Sequence, residues 1–249
     1  MADNFGNRAF PRDTTRTIDQ ATFDVGLRKH MLSVYNYMAS GLALSGIVAL
    51  IIFMSPTVAS LFYGRTLDGR ITFTILGYVA MFAPLVMTFG IGRVMRGSAT
   101  GARAFYWVFV TLMGIGLSTL LFRYTGASVA RIFFITAGAF AGLSIFGYTT
   151  KRDLSGFGRF LIMGAIGVFL ALVVNIFVQS TMMLTVISIA GVLIFAGLTA
   201  YDTQAIKEQY NEAYDEGSRT KIAIFGALLL YLNFVNMFQF LLLLFGNRN

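Results

Sequence analysis

Seven stretches of this chain are apolar over about 20 residues each, the length that crosses a hydrocarbon core about 30 Å thick at about 1.5 Å per helical residue. They run Met31–Phe53, Ile71–Ile91, Ala104–Phe122, Val129–Tyr148, Phe160–Val178, Met182–Ala200 and Ile222–Phe245. Each is too long for a strand. A backbone in lipid must satisfy its hydrogen bonds within the segment, so each is predicted to be a helix. Charge content agrees: 12% of the 249 residues are charged, against about 25% in a soluble domain. The predicted class is an all-α integral membrane protein with seven transmembrane helices. An ordinary soluble enzyme, a fibre and a disordered tail protein are excluded. Only Gln179, Ser180 and Thr181 separate the fifth and sixth stretches, which predicts an antiparallel helical hairpin.

Lysine and arginine assign the sides of the membrane, because acidic residues contribute little to orientation. Arg8, Arg12, Arg16, Arg28 and Lys29 precede the first span. Arg93, Arg96 and Arg103 follow the second, Lys151, Arg152 and Arg159 the fourth, and Lys207, Arg219 and Lys221 the sixth. These put fourteen of the 19 basic residues on one side. The opposite side holds Arg65, Arg70, Arg123, Arg131 and Arg248. The N-terminus is therefore expected in the cytosol and the C-terminus across the membrane. Residues 1–25 read as a polar cytosolic tail, mobile to about Asp19, and 26–249 as one transmembrane domain. No apolar stretch of the signal-peptide kind is visible in the tail. The net charge of +8 is read as this topological bias, so membrane lipid and no nucleic acid is the expected partner. Small residues four apart (Gly114 and Ser118, Gly138 and Gly142, Ala196 and Ala200) predict close helix packing. Pro84 predicts a kink in span two.

The chain has no cysteine and a single histidine, His30, so thiolate sites and two-histidine zinc motifs are impossible; no metal site or other cofactor is expected. Asp68 and Asp153 fall in connections, and Glu208, Glu212, Asp215 and Glu216 fit a solvated extension after the sixth span. Asp202 continues the sixth span, where an interfacial residue facing water and a functional intramembrane carboxyl fit equally. Span seven carries Asn233, Asn236 and Gln239 within an arc of roughly 120°, a side that should face the bundle interior or a wet cavity. Asn236 and Gln239 are pore-lining candidates, although hydrogen bonding between helices is the simpler role for both. Asn175 in span five is similarly ambiguous. An intramembrane aspartyl protease would need two carboxyls sharing a proton, and span seven has no aspartate. No enzyme is expected.

Three motifs carry a resemblance. Tyr148-Thr149-Thr150-Lys151-Arg152-Asp153-Leu154-Ser155-Gly156, Tyr201-Asp202-Thr203-Gln204 with Ile206-Lys207, and Leu230-Tyr231-Leu232-Asn233-Phe234-Val235-Asn236-Met237-Phe238 resemble the Bax inhibitor-1/YccA family, its bacterial branch above all. The likeness runs from about Val25 to Gly246. It implies a seven-helix bundle with the last helix central and wrapped by the others, in the bacterial inner membrane. It also implies a pH-responsive leak of calcium, as permeant ion rather than cofactor. In the family, spans six and seven each supply an aspartate to a pH-sensing pair, and an arginine ending span two latches to the second aspartate in the closed form. The first aspartate falls on Asp202 and the arginine on Arg96, with Arg93 a weaker match. The second aspartate falls on Asn233, which is a departure. An Asp–Asn pair lacks the like-charge repulsion that lets two carboxyls titrate together near neutrality. Asp202 then stays ionised through the physiological range unless burial alone holds its proton, and the leak is expected to respond less to pH than in the relatives. Depth poses a further condition: Asp202 and Asn233 meet only if helix seven stands a turn or more out of the bilayer before entering it. Two rivals remain open: a non-conducting regulator that binds a membrane protease or another membrane protein, and a proton-coupled transporter.

Overall fold

In the computed structural model, residues 14–65, 71–211 and 213–249 are described, with side chains from residue 23 onward except at 65 and 71. Eight helices and one small hairpin occur among them: α1 (Thr14–Met54), α2 (Pro56–Phe62), β1 (Tyr63–Arg65), β2 (Ile71–Phe73), α3 (Ile75–Arg96), α4 (Ala99–Arg123), α5 (Gly126–Thr149), α6 (Ser155–Val178), α7 (Thr181–Glu208) and α8 (Glu216–Phe245). Seven are long and apolar enough to cross a membrane, which makes this an all-α membrane protein of the predicted class.

Polar residues in the connections start the helices. Thr74, Ser98, Thr125, Ser180 and Asp215 each accept a hydrogen bond from the backbone N–H three residues on, which satisfies a donor that the first helical turn leaves free. Two predicted boundaries shift. The part of the 1–25 tail from Thr14 onward is helical, because α1 already begins there; residues 1–13 lie outside the described residues. Beyond the tail, Leu27, Met31 and Val34 of the same helix face the core. Span two starts later than Ile71. Ile71–Phe73 pairs antiparallel with Tyr63–Arg65, and Thr74 caps the helix that follows. Asp68 and Arg70, read as connection residues, lie outside the described residues, as do Arg8, Arg12 and Glu212.

The helix α8 is the axis of the bundle. Over its most apolar stretch 56% is buried, against 28% or less in the other six spans. It packs on α1, α4, α5 and α7, while α3 leans on α4 and α6 on α7. The expectation that all other helices wrap it is thus met by four of them, with α3 and α6 forming an outer layer. The fifth-to-sixth hairpin forms as expected: Gln179 takes a left-handed conformation (φ 53°) between α6 and α7, and Asn175 Oδ1 accepts from the Ser180 N–H at 3.1 Å. Asn175 therefore closes this turn. Two glycines let backbones touch. A Cβ on Gly114 would lie 2.7 Å from the Ser45 carbonyl oxygen, and one on Gly147 would collide with the carbonyl of Ala200. Gly138 and Gly142, expected at an interface, face open space.

Candidate functional site

Two interfaces of α7 bring the sequence motifs together. On the α5 side, Gln204 reaches the connection between α5 and α6. Its Nε2 donates to the Arg152 carbonyl at 2.8 Å, and its Oε1 accepts from the Leu154 N–H at 2.8 Å. The helix α6 has no side-chain cap of its own at Leu154. Gln204 and the Asp153 carboxylate, which accepts from the Ser155 N–H at 2.8 Å, satisfy those donors instead. Asp153 is fully exposed, and hydrogen bonding to the Ser155 side chain, and then to its backbone N–H, holds its carboxyl below the ordinary carboxylate value. One turn further on, Lys207 Nζ donates to the Tyr148 carbonyl at 2.8 Å and lies 5.4 Å from the Tyr148 ring centre. Two motifs separated by about fifty residues thus form one clamp. Replacing Gln204 with methionine is expected to lose two bonds of about 1 kcal/mol each. Amides of 150–158 should then exchange at least about tenfold faster, with α8 unaffected; unchanged exchange in a hydrogen-exchange mass measurement would refute the clamp.

On the α8 side, Asn233 Nδ2 donates to Asp202 Oδ2 at 2.6 Å. Asp202 is 9% exposed and Asn233 5%, so Asp202 is an interior group and not an interfacial one facing water. The depth condition is met by the length of α8. Ile206 lies against Gly226, so the turns of α8 from Glu216 to Phe225 stand beyond most of α7, about 13 Å of extra helix. Within the seven-span bundle this places a carboxyl of α7 and an amide of α8 side by side at the most buried helix. Asn233 Oδ1 keeps its acceptor capacity.

The other predicted residues are placed as follows. Asn236 is half-buried, and its Nδ2 donates to the Leu232 carbonyl of its own helix at 2.8 Å rather than across helices. Gln239 is half-buried; the polar arc rotates from the core at Asn233 toward the rim at Gln239. Arg96 is exposed and its Nε donates to the Gly92 carbonyl at 3.2 Å, so it does not hold Asn233 in this conformation. Lys221 joins those elements instead, donating from Nζ to the Gly97 carbonyl at 3.2 Å.

Sequence reasoning missed two hydroxyl networks. Tyr35 bonds Ser144 at 2.7 Å, and Ser144 bonds Thr203 at 3.0 Å, linking α1, α5 and α7. Ser45 bonds both the Tyr231 hydroxyl and the Val110 carbonyl at 2.7 Å, linking α1, α8 and α4. Single hydroxyls among apolar residues give no periodic signal, so neither was visible. No group of three or more histidine, aspartate or glutamate residues that could hold a metal ion occurs among the described residues. The pair itself supplies one carboxyl and one amide oxygen. That is far from the 6–8 oxygen ligands of a resident calcium site.

The chain is similar in sequence to known proteins. A family model described as inhibitor of apoptosis-promoting Bax1 matches residues 27–249. A protein of Caulobacter vibrioides is 48% identical, over 97% of this chain and 98% of its own length. The protein RP147 of Rickettsia prowazekii is 38% identical over 96% and 98%. The inner membrane protein YbhL of Escherichia coli K12 is 37% identical over 96% and 98%.

Proposed function

The chain belongs to the Bax inhibitor-1 family, and from that premise we propose that it is a calcium-permeable leak channel of the bacterial inner membrane, N-terminus in the cytosol. The buried Asp202–Asn233 hydrogen bond carries this reading. A carboxyl inside a membrane bundle is costly and by default marks an ion path. Asp202 supplies the attraction for a cation and Asn233 an amide oxygen, with fewer charges than two aspartates would bring. Weak binding suits a leak, because an ion must also leave. The inner-membrane placement follows YbhL, and the orientation follows the lysine and arginine bias.

The pair is closed in this conformation, since both residues are at least nine-tenths buried. Ion passage therefore requires α7 and α8 to separate near Asp202. The same closure favours a second reading, a non-conducting regulator that binds a membrane protease or another membrane protein. Calcium flux into proteoliposomes separates the two. The leak predicts flux from the wild type that falls at least about tenfold in Asp202→Asn, equivalent to about 1.4 kcal/mol. It also predicts a steeper pH response in Asn233→Asp, where two carboxyls within hydrogen-bond distance share one proton. Absence of flux from folded, inserted protein would leave the regulator. Equal pH responses of wild type and Asn233→Asp would remove the pair's sensing role.

A further inference from the structure

A second polar site lies away from the Asp202–Asn233 pair, where α1 meets the first turns of α8. A cavity of about 370 Å³ there is lined by Lys29, His30 and Ser33 of α1 and by Glu216, Arg219 and Thr220 of α8. We propose that it binds a phosphate monoester group, bridging α1 and α8.

Three observations converge on that chemistry. First, Lys29 and Arg219 approach from two different helices, both exposed, against one carboxylate, Glu216. Arginine and lysine together match a multi-oxygen anion better than a single carboxylate would. Second, His30 is 7% exposed, and its Nε2 has no hydrogen-bond partner among the described residues. Its ring stacks at a tilt on Tyr210, 5.5 Å between centres, which fixes the imidazole without satisfying that nitrogen. Buried polar atoms are nearly always paired; this nitrogen is shielded from solvent, so a ligand oxygen in the cavity becomes its partner when the ring turns toward it. Third, the cavity adjoins the N-terminal turns of α8, where the helix dipole favours an anion, although the Asp215 carboxylate already caps the first turn. The hydroxyls of Ser33 and Thr220 complete the lining as further donors.

The site stands at the basic end of the bundle, where helices leave the bilayer. A phosphate monoester reaches it either from a lipid headgroup or from a soluble metabolite. Because His30 is the single histidine of the chain, labelling histidine with nitrogen-15 gives one reporter in the full-length protein. In phosphatidylcholine nanodiscs, titration with glycerol 3-phosphate is expected to shift the His30 resonance saturably. In nanodiscs containing phosphatidic acid, a shift present before any titration identifies the headgroup as the source. Either result supports the site if Lys29→Gln and Arg219→Gln each weaken binding at least about tenfold. Glu216→Gln should tighten it, and that opposite sign separates binding from a general loss of structure. No saturable shift from either phosphate source, or shifts indifferent to all three substitutions, would overturn the proposal.

Discussion

A valine at position 147 is expected to undo the packing of α5 on α7, while the same substitution at position 138 of the same helix leaves the protein intact. A Cβ on Gly147 would collide with the Ala200 carbonyl oxygen and sit 2.9 Å from the Ala200 Cα. Those are backbone atoms of a neighbouring span and have no rotamer to give way. The two helices must separate, and overpacking of this kind costs about 3 kcal/mol or more. Separation also breaks contacts that depend on the close approach: Ser144 to Thr203 at 3.0 Å, Lys207 to the Tyr148 carbonyl and Gln204 to the α6 start. Gly138 faces open space, so Gly138→Val should stay within about 0.5 kcal/mol of wild type. Thermal unfolding of both variants in the same detergent reads the difference. Equal stability would mean that α5 and α7 are not held by backbone contact.

The seven spans were legible because their signal is length and composition, which no competing structure shares. The small elements were not. Ile71, Thr72 and Phe73 are as apolar as the helix that follows, so nothing separates strand β2 from span two until Thr74 is seen to cap. The Asp202–Asn233 pair was legible as two polar residues in apolar runs, and the resemblance matched them to one site. Their contact depended on α8 starting at Glu216, well before its apolar stretch at Ile222, and apolarity alone does not report the polar first turns of a helix. Spacing of small residues was only half a guide. Gly114 packs on Ser45 and Ala200 on Gly147, but Gly138 and Gly142 do not pack on any neighbour. Four-residue spacing places two residues on one face without saying which face meets a helix. Gln204 was quoted as part of a motif, and its capping of a helix fifty residues away could not be read from its own neighbours.

Removing one member of the buried pair should cost far more than removing both. In Asn233→Leu the Asp202 carboxyl stays buried at the α7–α8 interface without its 2.6 Å donor, and a stranded buried group of this kind costs about 3 kcal/mol or more. In the double variant Asp202→Leu with Asn233→Leu, no polar atom is stranded. Leucines of similar volume fill the space, and the expected cost is within about 1 kcal/mol of wild type. Unfolding of the wild type, both single variants and the double in one detergent closes the cycle, with a coupling of about 2 kcal/mol or more as the expected outcome. Additive effects would show that the two side chains act on stability independently, despite their contact. The double variant then carries the functional argument. If it folds like the wild type and its calcium flux is gone, the pair serves ion passage and not the fold, since apolar residues do the structural part as well. If it folds and the flux persists, the ions travel elsewhere and Asp202 has no part in their path.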